Sequence, residues 1–400
     1  MANADPSTSS TPPSNTTDTL LADLPETVRL LEEGIADGMQ LGAQGYVSRR
    51  QADGSFTGLD LVVGDRAVDQ SMTADTLNLW MSASKPITAV ALAILWERDA
   101  LGLDDPIARH VPEFAERGKD GITLRHALTH TGGFRLLNVG WPAATWDEII
   151  ANICKARPEP RWVPGQKAGY HLASSWFILG EVVRRVDGRH YSEFVRQEIF
   201  EPLGMDDCWV GVPVDRFEAY GDRIGRMFLT ENGTPEPRRW HTERHVCGCS
   251  PGGNGYGPLR QLARFYEVLL DGGRFGVDAD GTPRHVIRPQ TVEALTTPHR
   301  VGLYDQTFKH KLDWGLGFIV NSEHYGAELP PYGYGRFASR RTFGHSGFQS
   351  STAFADPEHG LVVTLMTNGT PGEPAHTQRF RDLTEAIYRD LGLATDPRGT

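Results

Sequence analysis

Ser82 and Lys85 stand three residues apart at the head of an apolar run, Ala89 to Leu95. On a helix, residues at that spacing share a face, so the serine hydroxyl and the lysine ammonium can meet. A serine hydroxyl is a poor nucleophile until a base takes its proton. Burial disfavours the charged form of lysine, so a lysine among apolar neighbours falls in pKa and can take part in that transfer. The pair therefore points to attack on a carbonyl. Ser-x-x-Lys is a short pattern, and its meaning depends on the rest of the chain.

Two other constellations compete. Gly248-Cys249-Ser250-Pro251-Gly252 matches Gly-x-Ser-x-Gly. That elbow needs the backbone N–H of the residue after the serine, and Pro251 has none. His241, His245, Cys247 and Cys249 invite a zinc reading. Cys247 and Cys249 are separated by one residue, where ligand pairs usually leave two, and Pro251 argues against the helix that His-x-x-x-His requires. No metal is expected there. His126 and His130 lie four apart on a helical segment and read as core histidines.

The elements that must position Ser82 follow from pattern. Leu20 to Met39 has helical apolar spacing, with Leu24, Val28, Leu31 and Ile35 on one face. Runs at 43–48 and 59–63 suggest a strand hairpin, and a short strand at 77–80 leads into the Ser82 helix. Ile122 to Phe134 reads as a short helix closed by Gly132-Gly133. Helices follow at 146–155, 173–186, 191–200 and 259–270, most of them ended by Gly or Pro. From Trp314 the pattern turns to strands. Runs at 350–355 and 361–367 flank the turn signal Asp356-Pro357-Glu358-His359-Gly360. A last helix, 373–391, carries Phe380, Leu383, Ile387 and Leu391 on one face. Strands at both ends and helices between imply one sheet built from both termini, with a helical insertion. The nucleophile then falls where the two lobes meet.

The motifs, taken together and in order, resemble those of the class C β-lactamase and penicillin-binding protein superfamily, closest in type to family VIII carboxylesterases. Ser82-Ala83-Ser84-Lys85 resembles the first motif. Leu124 to Phe134 is similar to a Leu-Leu-x-His-Thr-Ser-Gly landmark, with Gly132 where serine is usual. Ile199 to Met205, and Gly252-Gly253 followed by 259–272, resemble two more. Pro164-Gly165 leading to Tyr170-His171-Leu172 resembles the second motif and implies the tyrosine role for Tyr170. A phenol flanked by an ammonium ionises more easily, so Tyr170 would accept the Ser82 proton and pass it to the leaving group. Gly344-His345-Ser346-Gly347-Phe348 stands where lactamases carry Lys-Thr-Gly, with His345 in place of the lysine. The resemblance implies an oxyanion hole from the amides of Ser82 and Phe348. It also implies substrate contacts at Leu172, His345, Ser346 and Gly347.

The fold so implied is α/β (α+β) and β-lactamase-like: an antiparallel sheet flanked by helices, with residues 19–95 and 285–400 in one α/β domain and 96–284 mainly helical. The implied function is a serine hydrolase that cleaves small carboxylic esters through an acyl-enzyme on Ser82, with no metal or organic cofactor. The alternatives are an amide-directed relative (D-aminopeptidase, amidase or β-lactamase), a transacylase, or a non-catalytic binding relative. Loop 325–341, rich in Tyr, Gly, Pro and Arg, is expected to border the pocket.

The formal net charge of -11 and the lack of any basic run argue against nucleic acid and anionic membrane as partners. No apolar stretch is long enough to span a bilayer. Residues 1–18 are rich in Ser, Thr, Pro and Asn and read as a disordered tail rather than a signal peptide. Four cysteines in 400 residues are too few for a disulfide scaffold. They read as reduced, in a cytoplasmic protein.

Overall fold

The computed structural model describes residues 24–326 and 330–395. The expected tail at 1–18 lies outside them, as does part of loop 325–341. An eight-stranded sheet organises the rest. In spatial order its strands are Asp313–Trp314, Ile319–Val320, Phe343–Gly347, Ser351–Asp356, Leu361–Thr367, Gly42–Arg50, Phe56–Ala67 and Gln70–Ser71. All neighbours pair antiparallel. The join between the two ends of the chain is the pairing of Gly42–Arg50 with Leu361–Thr367, in the register Ala43↔Thr367 to Arg49↔Leu361. The central strands are buried along their whole length, which is why Leu361–Thr367 reads as an unbroken apolar run instead of alternating.

Helices cover both faces. Pro25–Ala36 and Glu373–Asp390 pack together on one side, where Leu31, Phe380 and Leu383 meet Ala43 and Leu365 of the sheet. Leu259–Leu270 lies across the other side. Its strongly one-sided apolar pattern buries Leu262, Phe265, Tyr266 and Leu269.

The middle of the chain is helical. Lys85–Glu97 is buried at every position from Lys85 to Leu95, and it packs on Ser174–Asp187. With apolar residues all round, this helix can only be an interior one. The expected helix at Ile122 to Phe134 is shorter than its pattern suggested. It covers Leu124–Leu128, capped at its start by Thr123 and His126. His130 therefore lies beyond it, with a left-handed φ of 57°. The helices expected at 146–155, 173–186, 259–270 and 373–391 are present within a residue or two. Among the described residues, no helix is long and apolar enough to cross a membrane.

Candidate active site

Ser82 sits in a short 3-10 turn, Met81–Ser84, that runs directly into the buried helix from Lys85. Met81 just before it has φ of 51°, a left-handed conformation that costs a side-chain-bearing residue free energy. The turn is held in place from several sides. The Ser84 hydroxyl donates to Met81 O (2.6 Å) and accepts from the Gly255 amide (2.8 Å). Ser351 donates its hydroxyl to Trp80 O at 2.7 Å, and the Trp80 amide donates to Gly255 O at 2.8 Å. Ser82 itself is only partly buried, so a substrate can reach it.

Lys85 is fully buried, and its ammonium nitrogen has three oxygen partners. It lies 2.9 Å from Ser82 Oγ, 3.2 Å from Leu172 O and 2.6 Å from Gly252 O. No carboxylate pairs with it among the described residues. Burial pushes its pKa well below the usual lysine value. A neutral amine that touches the serine hydroxyl is a competent base at ordinary pH.

Tyr170 packs its ring between His130 and Phe308, each with a centroid 4.7 Å away. Its backbone is fixed by Asp305 Oδ1, which accepts from the Tyr170 amide at 3.2 Å, and by the Thr307 hydroxyl, which donates to Tyr170 O at 3.1 Å. Asp305 is in turn paired with the buried Arg300 at 3.1 Å. Lys85 Nζ is 5.1 Å from the ring centroid. Burial raises the phenol pKa, and a hydrogen bond with Ser82 offsets only part of the rise. This reverses the expectation that the neighbouring ammonium would make Tyr170 ionise easily. The lysine is as dry as the tyrosine, so desolvation disfavours the charged form of both, and Lys85 in its neutral form is the better proton acceptor of the two.

The strand Phe343–Gly347 passes against the Met81–Ser84 turn. A Cβ built on Gly347 would lie 2.5 Å from Trp80 O and 2.6 Å from Met81 Cβ, so only glycine allows this approach. The Phe348 amide, one residue past the strand, makes no backbone hydrogen bond among the described residues. The Ser82 amide lies in the first turn of its helix, where N–H groups lack intrahelical partners. His345 is buried and donates Nδ1–H to Ser346 O at 2.7 Å, which leaves Nε2 as a bare acceptor with no partner among the described residues. Burial holds its pKa well below the usual histidine value, and Lys85 nearby, whenever it carries a proton, adds to the effect. Ser346 is buried and donates its hydroxyl to Thr352 Oγ1 at 3.0 Å. Leu172 differs from these: the residue is 65% exposed while its carbonyl touches Lys85.

Other contributors act in ways that side-chain type and spacing do not reveal. Gly252 acts through a backbone carbonyl, Met81 through a conformation, and Ser351 through one hydroxyl on the far side of a turn. His130 and His171 support Tyr170 from behind. The His171 amide donates to His130 Nδ1 (2.9 Å), and the Phe134 amide donates to His171 Nε2 (3.2 Å). In loop 325–341, Tyr332 reaches the site through Phe308, 5.5 Å ring to ring.

The competing constellations do other work. Ser250 is buried, and its amide is tied to Asn254. Its loop supplies Gly252 O to Lys85 and Pro251 O to the Thr88 hydroxyl. His245 stacks edge-on against Trp141, and His241 Nδ1 bonds Arg238 O. All four cysteines are free thiols.

The "Beta-lactamase" family model matches residues 31–387. The chain belongs to the Beta-lactamase family. This Beta-lactamase family member is 29% identical to Esterase EstB of Burkholderia gladioli over 340 residues, which is 76% of this chain and 81% of that protein. It is 25% identical to Esterase/beta-lactamase LipL of Mycobacterium tuberculosis over 332 residues, or 76% of this chain and 72% of LipL. A penicillin-binding protein homologue from Caulobacter crescentus superposes with a TM-score of 0.74 at 28% identity, over 93% of this chain and 98% of that one.

Proposed function

We propose that the protein is a serine hydrolase that cleaves small carboxylic esters through an acyl-enzyme on Ser82. The observation that carries the reading is the Lys85 amine, held dry by two carbonyls and 2.9 Å from the Ser82 hydroxyl. Ser82 Oγ attacks the ester carbonyl carbon as its proton passes to Lys85. The carbonyl oxygen becomes an oxyanion, which the Ser82 and Phe348 amides receive. Tyr170 gives its phenol proton to the leaving alkoxide and regains one from the Lys85 ammonium. Water, losing its proton to the same pair, then attacks the acyl carbon and frees the acid and Ser82 Oγ. This sequence uses only the protein's own groups.

Two features favour esters over β-lactams. Leu172 presents a leucine side chain where an asparagine would bond the antibiotic's amide, and an unbonded buried amide costs about 1–3 kcal/mol. His345 is neutral and buried, so it offers no charge to a carboxylate. Similarity to Esterase EstB points the same way. Similarity to Esterase/beta-lactamase LipL supports an amide-directed second reading. Side-by-side kcat/KM values for p-nitrophenyl butyrate and nitrocefin test the choice. The ester should be turned over far faster, and a better rate on nitrocefin would overturn the assignment.

The proposal treats 19–95 with 285–400 as one α/β unit and 96–284 as its helical insertion. It keeps the protein in the cytoplasm, the compartment that maintains thiols such as these four in the reduced state.

A further inference from the structure

The turn after the Phe343–Gly347 strand is anchored from an unexpected direction. Gln349, next to Phe348, has a left-handed φ of 47° without being glycine. Such a conformation persists only when its surroundings over-determine it. Its carbonyl accepts a hydrogen bond at 3.0 Å from Arg379, which stands on the C-terminal helix. Its side chain is held too: Oε1 accepts from the Gly372 amide at 2.9 Å, and Nε2 donates to Glu373 at 3.3 Å.

Arg379 is buried, and no carboxylate pairs with it among the described residues. Its guanidinium donates to four oxygens: Met39 O (3.1 Å), Gln40 Oε1 (2.6 Å), Gln349 O and Gly369 O (3.2 Å). A buried cation without a counter-ion is costly, and burial pushes this one down to about 9. Core packing alone would be served by an apolar residue of the same size. The position of its donors shows what the arginine adds, because a fork of N–H groups ties the C-terminal helix, the first sheet strand's approach and the Phe348–Ser350 turn into one rigid body.

We propose that Arg379 and Gln349 are positioning residues for the oxyanion hole, fixing the turn that presents the Phe348 amide opposite Ser82. The proposal rests on the acyl-enzyme reading above. Oxyanion donors act only when aimed at the developing charge, so a looser turn weakens the transition state while leaving ground-state binding almost untouched.

The test compares Gln349→Gly, Arg379→Met, Arg379→Lys and Phe348→Pro. Active enzyme is counted by fluorophosphonate titration, and kcat and KM for p-nitrophenyl butyrate are expressed per titrated site. Phe348→Pro removes the amide donor and should lower kcat at least about 100-fold. Gln349→Gly keeps the backbone conformation and loses only the side-chain clamps. It should lower kcat several-fold with KM changed less than twofold. Arg379→Met should lower kcat further, and Arg379→Lys, which retains a charged donor, should recover part of the loss. If Arg379→Met does not fold, Gln349→Gly decides. Wild-type kcat per titrated site in Gln349→Gly, alongside a disabled Phe348→Pro, would overturn the positioning role alone. An active Phe348→Pro would overturn the oxyanion hole itself, and the positioning role with it.

Discussion

Gly347→Ala should disable the enzyme while leaving it folded. The added Cβ would lie 2.3 Å from Ser351 Oγ, 2.5 Å from Trp80 O and 2.6 Å from Met81 Cβ. None of these is the free end of a long side chain. Ser351 is fixed by its bond to Trp80 O, and Met81 is held in its left-handed turn. Relief to a normal separation of ~3.5 Å requires the strand and the Met81–Ser84 turn to part by about 1 Å. Those two segments carry the two amides proposed for the oxyanion hole. A misplacement of about 1 Å typically costs on the order of 100-fold in rate. Overpacking of this kind destabilises by about 1–3 kcal/mol, which a chain of this size should survive. The assay is kcat per titrated active site on p-nitrophenyl butyrate, beside the melting temperature. A Gly347→Ala enzyme with more than about a third of wild-type kcat would refute the idea that strand and turn must touch.

Three further outcomes follow from the same geometry. Lys85→Ala and Tyr170→Phe should each cost several orders of magnitude in kcat, and the double variant should be little worse than either, because the two move protons as one unit; losses that multiply would show that Tyr170 only packs. Activity should rise with pH through a single acid limb set by Lys85, whose neutral form is the active one, and the midpoint should fall well below the ordinary lysine value; a limb near 10.5 would mean the lysine is not desolvated. Stability should fall on mild acidification: His171 and His376 are both held down to about 3 by burial, whereas in the unfolded chain they take up protons near 6.5. Each then removes about 1.4 kcal/mol per pH unit below 6.5, or roughly 4 kcal/mol for the pair at pH 5. Urea midpoints at pH 7 and pH 5 measure it, and equal midpoints would contradict neutral buried histidines.

Much of the site could be read from the sequence because it depends on side-chain type at fixed spacing. Ser82 and Lys85 belong to one continuous helical segment, so their meeting follows from periodicity alone. The helix after them is buried all round, and its composition says so. The sheet was legible as two sets of strands, although the pairing of 42–50 with 361–367 needs contacts across more than three hundred residues, which no local pattern encodes. What stayed hidden works through backbone or through conformation. Gly252 contributes through its backbone carbonyl, at a place where an added Cβ would lie 2.5 Å from the buried Trp176 ring. Met81 and Gln349 adopt left-handed φ without the glycine that usually marks it. The proton roles also shifted: spacing could bring Tyr170 beside an ammonium, but only burial shows that the ammonium is itself disfavoured. His130, expected on a helix with His126, lies past its end because the helix stops at Leu128.

The proposed function stands on acylation of Ser82. The direct measurement is a rapid acid quench of the enzyme during turnover of p-nitrophenyl butyrate, followed by peptide mass mapping. One butyryl group is expected on the peptide that contains Ser82, and none in Ser82→Ala. An acyl group on Ser250, or turnover with no covalent adduct at all, would contradict it.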